Sequence, residues 1–178
     1  KILQKYKPNS LRTIISNAAP LPQATKEKIV NYFGEGLLHE TYGSTEGGFV
    51  TNLRPQDQLR KQRCVGLAYP TVEISLRNEN GYEVSNGDVG EIFVRSPILF
   101  NGYWKNDKAT SEAIDTNGWC TVGDLGKLDE EGYLYIVDRK KDMIISGGVN
   151  VFPREIEEVL ATHPEVKECA VIGVEDDY

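Results

Sequence analysis

The sequence predicts a mixed α/β fold, made of a sheet–helix unit, a β-rich subdomain and the beginning of a smaller α+β unit. Three observations lead to this prediction. Near the amino end, an apolar segment, a helix-like segment and a second apolar segment follow one another. From about 65 to 137, apolar and polar residues alternate with the period of two that is typical of strands. The charged run of residues 138–142 then precedes another apolar segment.

The first unit opens with a short strand and a proline-rich turn at residues 17–22. A helix is predicted for roughly 22–33, because its apolar residues recur at helical spacing and share one face. These residues are Ile29, Val30 and Phe33. Gly34 is a suitable stop for this helix. Residues 37–38 then open a second strand, which leads into a polar, glycine-containing segment at residues 42–48.

In the β-rich stretch, alternating apolar residues mark several strands joined by turns at residues 78–81 and 130–132. The alternating residues are Val72, Ile74 and Leu76, then Ile92 and Val94, then Leu134 and Ile136. The five charged residues 138–142 are typical of a linker, which is where a hinge between two units belongs.

Beyond the linker, the pair Gly147-Gly148 indicates a turn after an apolar strand. A helix is predicted to begin at Pro153 and to end before Pro164. Its expected buried stripe consists of Ile156, Val159 and Leu160. Residues 170–174 are predicted to form a final strand.

Composition narrows the function classes. A formal net charge of −7 argues against a uniform basic surface for nucleic acid or anionic membranes. No apolar run approaches the ~20 residues of a transmembrane helix. The three cysteines, Cys64, Cys120 and Cys169, lie far apart, which favours free thiols in a reducing cytoplasm over disulfides or a zinc site.

Two short motifs are candidates for chemistry. Residues 42–46, Tyr-Gly-Ser-Thr-Glu, could turn backbone amides and hydroxyls toward a phosphate, with a carboxylate beside them for Mg²⁺. The alternative is a polar turn after a strand. Asp124, which follows Gly123, could accept hydrogen bonds from both hydroxyls of a ribose. Taken locally, a hairpin aspartate on a solvated edge is the simpler interpretation.

Five different motif-bearing stretches follow one another along the chain: residues 16–21, 42–46, 90–104, 118–126 and 138–157. Together they resemble the adenylate-forming superfamily, which includes acyl-CoA synthetases, 4-coumarate ligases, luciferases and peptide-synthetase adenylation domains. The resemblance covers essentially the whole chain. It implies that residues 1–138 are the C-terminal part of the large domain, with a barrel-like β subdomain at about 60–137. Residues 139–178 would then be the hinge and the beginning of the small lid domain.

The family joins ATP to a carboxylic acid, releases pyrophosphate and usually passes the acyl group to a thiol. The resemblance implies that Tyr42 stacks on the adenine of ATP or AMP. The backbone around this base would come from Ala18, Ala19 and Gly43. Thr45 would contact the phosphate, and Glu46 would hold Mg²⁺.

The remaining implied roles belong to the ribose side and the lid. Asp124 would accept hydrogen bonds from the ribose hydroxyls, and Arg139 would add a second, charge-assisted contact to them. Lys141 would occupy the catalytic hinge position. Gly147 and Gly148 would line the channel that receives CoA. Glu46, Asp124, Arg139 and Lys141 together argue against a non-catalytic nucleotide-binding module, which is one of the alternatives.

Within the superfamily the chain looks most like a fatty- or aryl-acyl-CoA ligase acting on a small-molecule carboxylic acid. An adenylating enzyme with a carrier protein or another acceptor is the other alternative. Val122 departs from the family pattern, which usually has Thr there. The family's phosphate loop and its lid lysine would lie upstream of Lys1 and beyond Tyr178, so we expect the isolated chain to be inactive.

Overall fold

The computed structural model describes residues 10–174, which form two four-stranded sheets, a two-stranded sheet, three α-helices and a short 3-10 helix at Pro55–Asp57. In the first sheet, β1 (Ile14–Ser16) runs parallel to β2 (Leu38–Ser44). The helix α1 (Gln23–Phe33) connects them, as parallel strands need a crossover. Antiparallel strands β3 (Gly48–Leu53) and β4 (Leu67–Ala68) complete this sheet. The predicted strand–helix–strand unit is therefore confirmed.

The inner face of α1 carries a charged residue that the apolar pattern did not reveal. Lys26 is 1% exposed and forms an ion pair with Glu40 of β2, which is 5% exposed. Of the predicted apolar face, Val30 is buried, whereas Ile29 and Phe33 are half-buried. A buried charge has to be paired, so this contact fixes how α1 lies on the sheet.

The second sheet is an antiparallel meander with its strands in chain order. Its members are β5 (Glu73–Arg77), β6 (Gly90–Arg95), β7 (Asp124–Leu128) and β8 (Leu134–Arg139). The helix α2 (Asp107–Ala113), which the sequence analysis did not predict, lies in the connection between β6 and β7. Asn106 caps it by accepting a hydrogen bond of 3.1 Å from the Ala109 amide.

Both large sheets contribute to one core. Its buried members are Val50, Val72, Leu76, Ile92, Val94, Cys120 and Leu134. The predicted mixed α/β fold is confirmed, but the β-rich part is not a closed barrel. The outer edge of β8 does not reach β5, because Leu134 instead exchanges hydrogen bonds of 2.9 Å with Val65 and Gly66.

The last part of the described chain contains a hairpin and a helix. The hairpin consists of β9 (Ile144–Ser146) and β10 (Val149–Val151), and the helix is α3 (Pro153–Leu160). The buried Asp138 accepts a hydrogen bond of 3.1 Å from the Arg154 amide and so holds the start of α3 against β8.

Two predictions for this part are wrong. The expected buried stripe of α3 is exposed: Ile156 by 40%, Val159 by 62% and Leu160 by 43%. Residues 170–174 form no strand, because no neighbouring strand pairs with them in the described chain. Within residues 10–174, no helix is long and apolar enough to cross a membrane.

Candidate functional site

The two candidate motifs meet at the seam between the large sheets. Tyr42 lies near the end of β2, and Asp124 is the first residue of β7. The Tyr42 hydroxyl donates a hydrogen bond of 2.7 Å to Asp124 Oδ2. Asp124 is only 8% exposed, so it is not the solvated hairpin aspartate of the simpler interpretation.

Strand register places the positively charged side chain of Arg139 beside the Asp124 carboxylate. Asp124 of β7 lies opposite Arg139 of β8, and Arg139 Nε is 3.4 Å from Asp124 Oδ1. The Lys140 amide donates to the Gly123 carbonyl at 2.8 Å and closes this end of the ladder. The Arg139 side chain is 59% exposed, so most of its guanidinium remains open to a further partner.

The environment keeps Tyr42 a neutral donor. Burial, followed by the negative charge of Asp124, raises the pKa of the Tyr42 hydroxyl above its ordinary value. A carboxylate has about four lone-pair positions, and the Tyr42 bond occupies one of those on Asp124. Asp124 therefore keeps acceptor capacity for the hydroxyls of a ligand, while Tyr42 presents a ring whose hydroxyl end is fixed.

The second part of the motif is the tight turn of residues 45–47 between β2 and β3. The Gly47 amide donates to Ser44 Oγ at 2.8 Å, and Thr45 is exposed. A side chain at Gly43 would place its Cβ 2.0 Å from the Gly48 carbonyl oxygen, so only glycine fits this close approach.

Glu46 is held at this turn by the loop before α2. Its Oε1 accepts a hydrogen bond of 2.6 Å from the Tyr103 hydroxyl, and its backbone carbonyl accepts one of 2.9 Å from the Phe100 amide. The bond to the carboxylate raises the pKa of Tyr103 to about 12. The side chain of Glu46 is thus oriented, although it is only half-buried.

The donor set around Glu46 suits one kind of cation. No group of three or more His, Cys, Asp or Glu side chains gathers anywhere in residues 10–174, so the described chain builds no complete metal cage. Mg²⁺ often binds through one or two carboxylates plus substrate phosphates and water. A single oriented carboxylate beside exposed Thr45 fits that arrangement and not an all-protein site.

Ala18 and Ala19 lie in the exposed loop that follows β1. Because β1 is parallel to β2, with Ser16 opposite Glu40, this loop leaves the sheet at the same edge as Tyr42. Ala18 has a φ of +72°, and its amide donates to Asn17 Oδ1 at 2.6 Å. A left-handed alanine is uncommon and carries strain, which is often found at ligand sites.

The predicted hinge residue lies at a turn. The Arg139 carbonyl accepts hydrogen bonds of 3.0 and 3.1 Å from the amides of Asp142 and Met143. Lys141 is exposed inside this turn, between β8 and β9. Asp138, by contrast, is buried and bonded to α3, so the covalent connection and the docking contact are adjacent.

The two glycines of the predicted CoA channel form the tip of the β9–β10 hairpin, with φ of +57° and +83°. Apart from the glycine itself and its chain neighbours, no heavy atom of residues 10–174 lies within 4 Å of a Cβ built on Gly147 or Gly148. In residues 10–174, no hydrogen bond or ion pair joins this tip to Tyr42, Asp124 or Glu46. The structure thus brings Tyr42, Asp124 and Arg139 together, whereas the hairpin tip makes no such contact with them within residues 10–174.

Two residues at the site were not assigned a role from sequence. Tyr103 lies in one of the matching stretches, but nothing in its spacing links it to Glu46. Glu91 accepts hydrogen bonds from Lys140 Nζ at 2.7 Å and Thr121 Oγ1 at 2.9 Å, and so braces the segment before Asp124. The contacts of Tyr103 and Glu91 join residues far apart in the sequence, so no local spacing pattern predicts them.

Comparison with protein families gives two matches. The family model described as AMP-binding enzyme matches residues 2–104, and the model described as AMP-binding enzyme C-terminal domain matches residues 155–178. The long-chain-fatty-acid–CoA ligase of Escherichia coli O157:H7 is 42% identical over 174 residues, which is 98% of this chain and 31% of that protein. The chain therefore spans about a third of the length of the curated relatives it matches.

Two solved structures are similar over nearly the whole chain. O-succinylbenzoate coenzyme A synthetase from Bacillus subtilis, in complex with ATP and magnesium ion, has a TM-score of 0.88 and 34% identity. That match covers 99% of this chain and 37% of the other. The amide bond synthetase McbA from Marinactinospora thermotolerans has a TM-score of 0.84 and 35% identity, covering 93% and 34%.

Proposed function

This chain belongs to the AMP-binding enzyme family, and we propose that it carries part of the active site of an ATP-dependent acyl-CoA synthetase. The enzyme would activate a carboxylic acid, fatty or aryl, as an acyl-adenylate and then transfer the acyl group to CoA. The chain would contribute the base, ribose and metal side of the nucleotide site, together with the hinge and the beginning of the lid.

The observation that carries this proposal is the cluster of Tyr42, Asp124 and Arg139. A fixed aromatic ring, a buried carboxylate with free lone pairs and a largely open guanidinium match an adenine ring and a ribose diol. In this arrangement Asp124 accepts hydrogen bonds from the ribose hydroxyls, and Arg139 donates a hydrogen bond to the ribose from the other side. Ala18, Ala19 and Gly43 supply backbone next to the base.

The chemistry explains why the site needs no histidine. A carboxylate substrate is ionised at neutral pH, so one of its oxygens attacks the α-phosphorus while the bond to the β-phosphate oxygen breaks and pyrophosphate leaves. CoA thiolate then attacks the acyl carbonyl and AMP leaves. The protein has to place the reactants in line and stabilise the charge that develops at the phosphate.

Thr45 and Glu46 serve the phosphate side of the site. The exposed Thr45 hydroxyl would donate to a phosphate oxygen, and the Glu46 carboxylate, oriented by Tyr103, would hold Mg²⁺. When bound, Mg²⁺ neutralises negative charge on the phosphates. The turn keeps both residues at the carboxyl end of β2, four residues or fewer from Tyr42.

The division at residue 138 follows the same proposal: 1–138 belong to the large domain, and 139–178 to the hinge and lid. Rotation at Lys141 brings the open tip, Gly147 and Gly148, to the acyl-adenylate for the second step. Support comes from the turn at Lys141 and from the open space beside Gly147 and Gly148 in the described part of the chain. Hinges are short segments that absorb large dihedral changes.

The identity of the acceptor is the main alternative. The likeness to an amide bond synthetase supports an acceptor other than CoA as the alternative, such as an amine or a carrier-protein thiol. A non-catalytic nucleotide-binding module is disfavoured, since binding alone does not require Glu46 and a free hinge at Lys141.

Product analysis tests the proposal. The full-length protein that this chain would belong to is incubated with ATP, Mg²⁺, a fatty or aryl acid, and equal concentrations of CoA and a primary amine. The proposal predicts an acyl-CoA thioester and AMP by mass spectrometry. Amide as the sole acyl product would establish the alternative acceptor, and AMP-binding without any acyl product would establish the non-catalytic module.

A further inference from the structure

The hydrogen bond from Tyr103 to Glu46 has no role in the function proposed so far. At 2.6 Å it is short, and it links side chains 57 residues apart. Tyr103 is 39% exposed, so burial of its ring does not account for its position. The contact therefore calls for a separate explanation.

The backbone of Tyr103 is held by a residue of α2. Its amide donates to Thr110 Oγ1 at 2.9 Å, and Thr110 Oγ1 donates to the Asn106 carbonyl at 2.9 Å. Asn106 is also the cap of α2. The Phe100 ring meets the Tyr103 ring edge-on, with centroids 4.9 Å apart. The Tyr103 backbone is thus tied to a helix, and its ring packs against a second ring, while its hydroxyl bonds Glu46.

The same loop holds Glu46 at two points. The Phe100 amide binds its backbone carbonyl, and the Tyr103 hydroxyl binds Oε1 of its carboxylate. A glutamate side chain has three rotatable bonds, and fixing it in one rotamer costs entropy when a ligand has to do so. Here Tyr103 orders the side chain in advance, and within residues 10–174 no hydrogen bond or ion pair engages Oε2.

We propose that Tyr103 is a positioning residue for Glu46, holding Oε1 so that Oε2 is free to bind the divalent cation carried by the nucleotide phosphates. This inference rests on the metal role of Glu46 in the proposed function. Groups that hydrogen-bond a metal ligand orient it, and their loss typically lowers metal affinity about 10–100-fold. Through Tyr103, the α2 segment becomes part of the site without touching the nucleotide.

The test is Tyr103→Phe in the full-length protein, with Tyr82→Phe as the matched control. Phenylalanine keeps the ring against Phe100, and Tyr82 is 72% exposed with no hydrogen bond from its hydroxyl in the described chain. The probe is Mn²⁺, whose binding is followed by electron paramagnetic resonance in the presence of a non-hydrolysable ATP analogue. AMP affinity without metal and the melting temperature are measured in parallel.

We expect Tyr103→Phe to weaken Mn²⁺ binding about 10-fold or more, with AMP affinity and melting temperature close to wild type. Tyr82→Phe should change none of these three measurements. Glu46→Gln separates the two possible failures. If Glu46→Gln weakens Mn²⁺ binding and Tyr103→Phe does not, the positioning role is overturned and the metal role stands. If neither variant changes Mn²⁺ binding, the metal role of Glu46 is lost as well.

Discussion

The Tyr42 hydroxyl and the Asp124 carboxylate are joined by a hydrogen bond of 2.7 Å, although 82 residues separate them in the sequence. Tyr42 belongs to the first sheet and Asp124 to the second, so the bond crosses the seam between the two. The candidate nucleotide site therefore exists only when both sheets have docked, and its geometry is coupled to the packing of the core.

Tyr42→Phe tests this coupling. The variant keeps the ring and leaves the buried Asp124 carboxylate without its hydroxyl donor. A hydrogen bond to a charged group contributes about 1.5–3 kcal/mol, so the free energy of unfolding should fall by about that amount in urea titrations of the 178-residue chain. Tyr82→Phe, at an exposed position, should leave it unchanged. Equal stability of Tyr42→Phe and wild type would contradict the role of the bond.

The stability difference between wild type and Tyr42→Phe should also depend on pH. The pKa of Tyr42 is raised in the folded state, chiefly by burial and then by Asp124, so the unfolded chain loses this proton first as the pH increases. Its contribution to stability is therefore fully present below about pH 10 and declines above it. We expect the stability difference between wild type and Tyr42→Phe to shrink from pH 9 to pH 11. A constant difference would contradict the raised pKa.

Asp124→Ala tests the ribose assignment. Removing the carboxylate takes away the acceptor for the ribose hydroxyls, and a charged hydrogen-bond partner contributes about 1.5–3 kcal/mol. AMP affinity of the full-length protein, measured by calorimetry, should fall by about 10- to 100-fold. Asp88→Ala, at an exposed position outside the site, is the control. Unchanged AMP affinity in Asp124→Ala would show that the ribose binds elsewhere.

Asp138→Asn tests the docking of α3. The Asp138 carboxylate accepts backbone hydrogen bonds from both Arg139 and Arg154, and an amide can accept with only one of its two polar atoms. We expect a loss of about 1–2 kcal/mol in stability and faster hydrogen exchange in α3. Asp142→Asn, exposed in the same charged run, should change neither measurement. Unaltered exchange in Asp138→Asn would mean that other contacts hold α3.

Lys141→Pro tests the hinge. The Lys141 amide makes no hydrogen bond in residues 10–174, so proline removes none, but it fixes φ near −65° and restricts Lys140. If the adenylation pose tolerates that angle, pyrophosphate exchange should persist while thioester formation from pre-formed acyl-adenylate and CoA fails. Lys141→Ala, with free dihedral angles, should support both steps better than the proline variant. Unimpaired thioester formation in Lys141→Pro would remove Lys141 from the hinge.

Local sequence patterns were sufficient to predict several elements of the fold. The strand–helix–strand unit and the Gly147-Gly148 turn follow from spacing and from residues that favour positive φ, and the structure has all of them. Lys26 shows where this reasoning stops. A lysine is expected at the surface, and only the position of Glu40 on the neighbouring strand explains why it is buried.

The candidate site was predicted as a set of motifs but not as a geometry. Tyr42 and Asp124 were each ambiguous alone, because a polar turn after a strand does not reveal its partner in another sheet. Tyr103 received no role, since its bond to Glu46 depends on the path of the loop before α2. The exposed stripe on α3 marks the opposite error: apolar periodicity identifies a face but not what covers it.

ATP–pyrophosphate exchange by the full-length protein shows whether it adenylates a carboxylic acid. Labelled pyrophosphate is supplied with ATP and Mg²⁺, with and without a panel of fatty and aryl acids. We expect label in ATP only when an acid is present, with lower turnover in both Asp124→Ala and Glu46→Gln. Absence of exchange with every acid, from a protein that still binds AMP, would contradict adenylation.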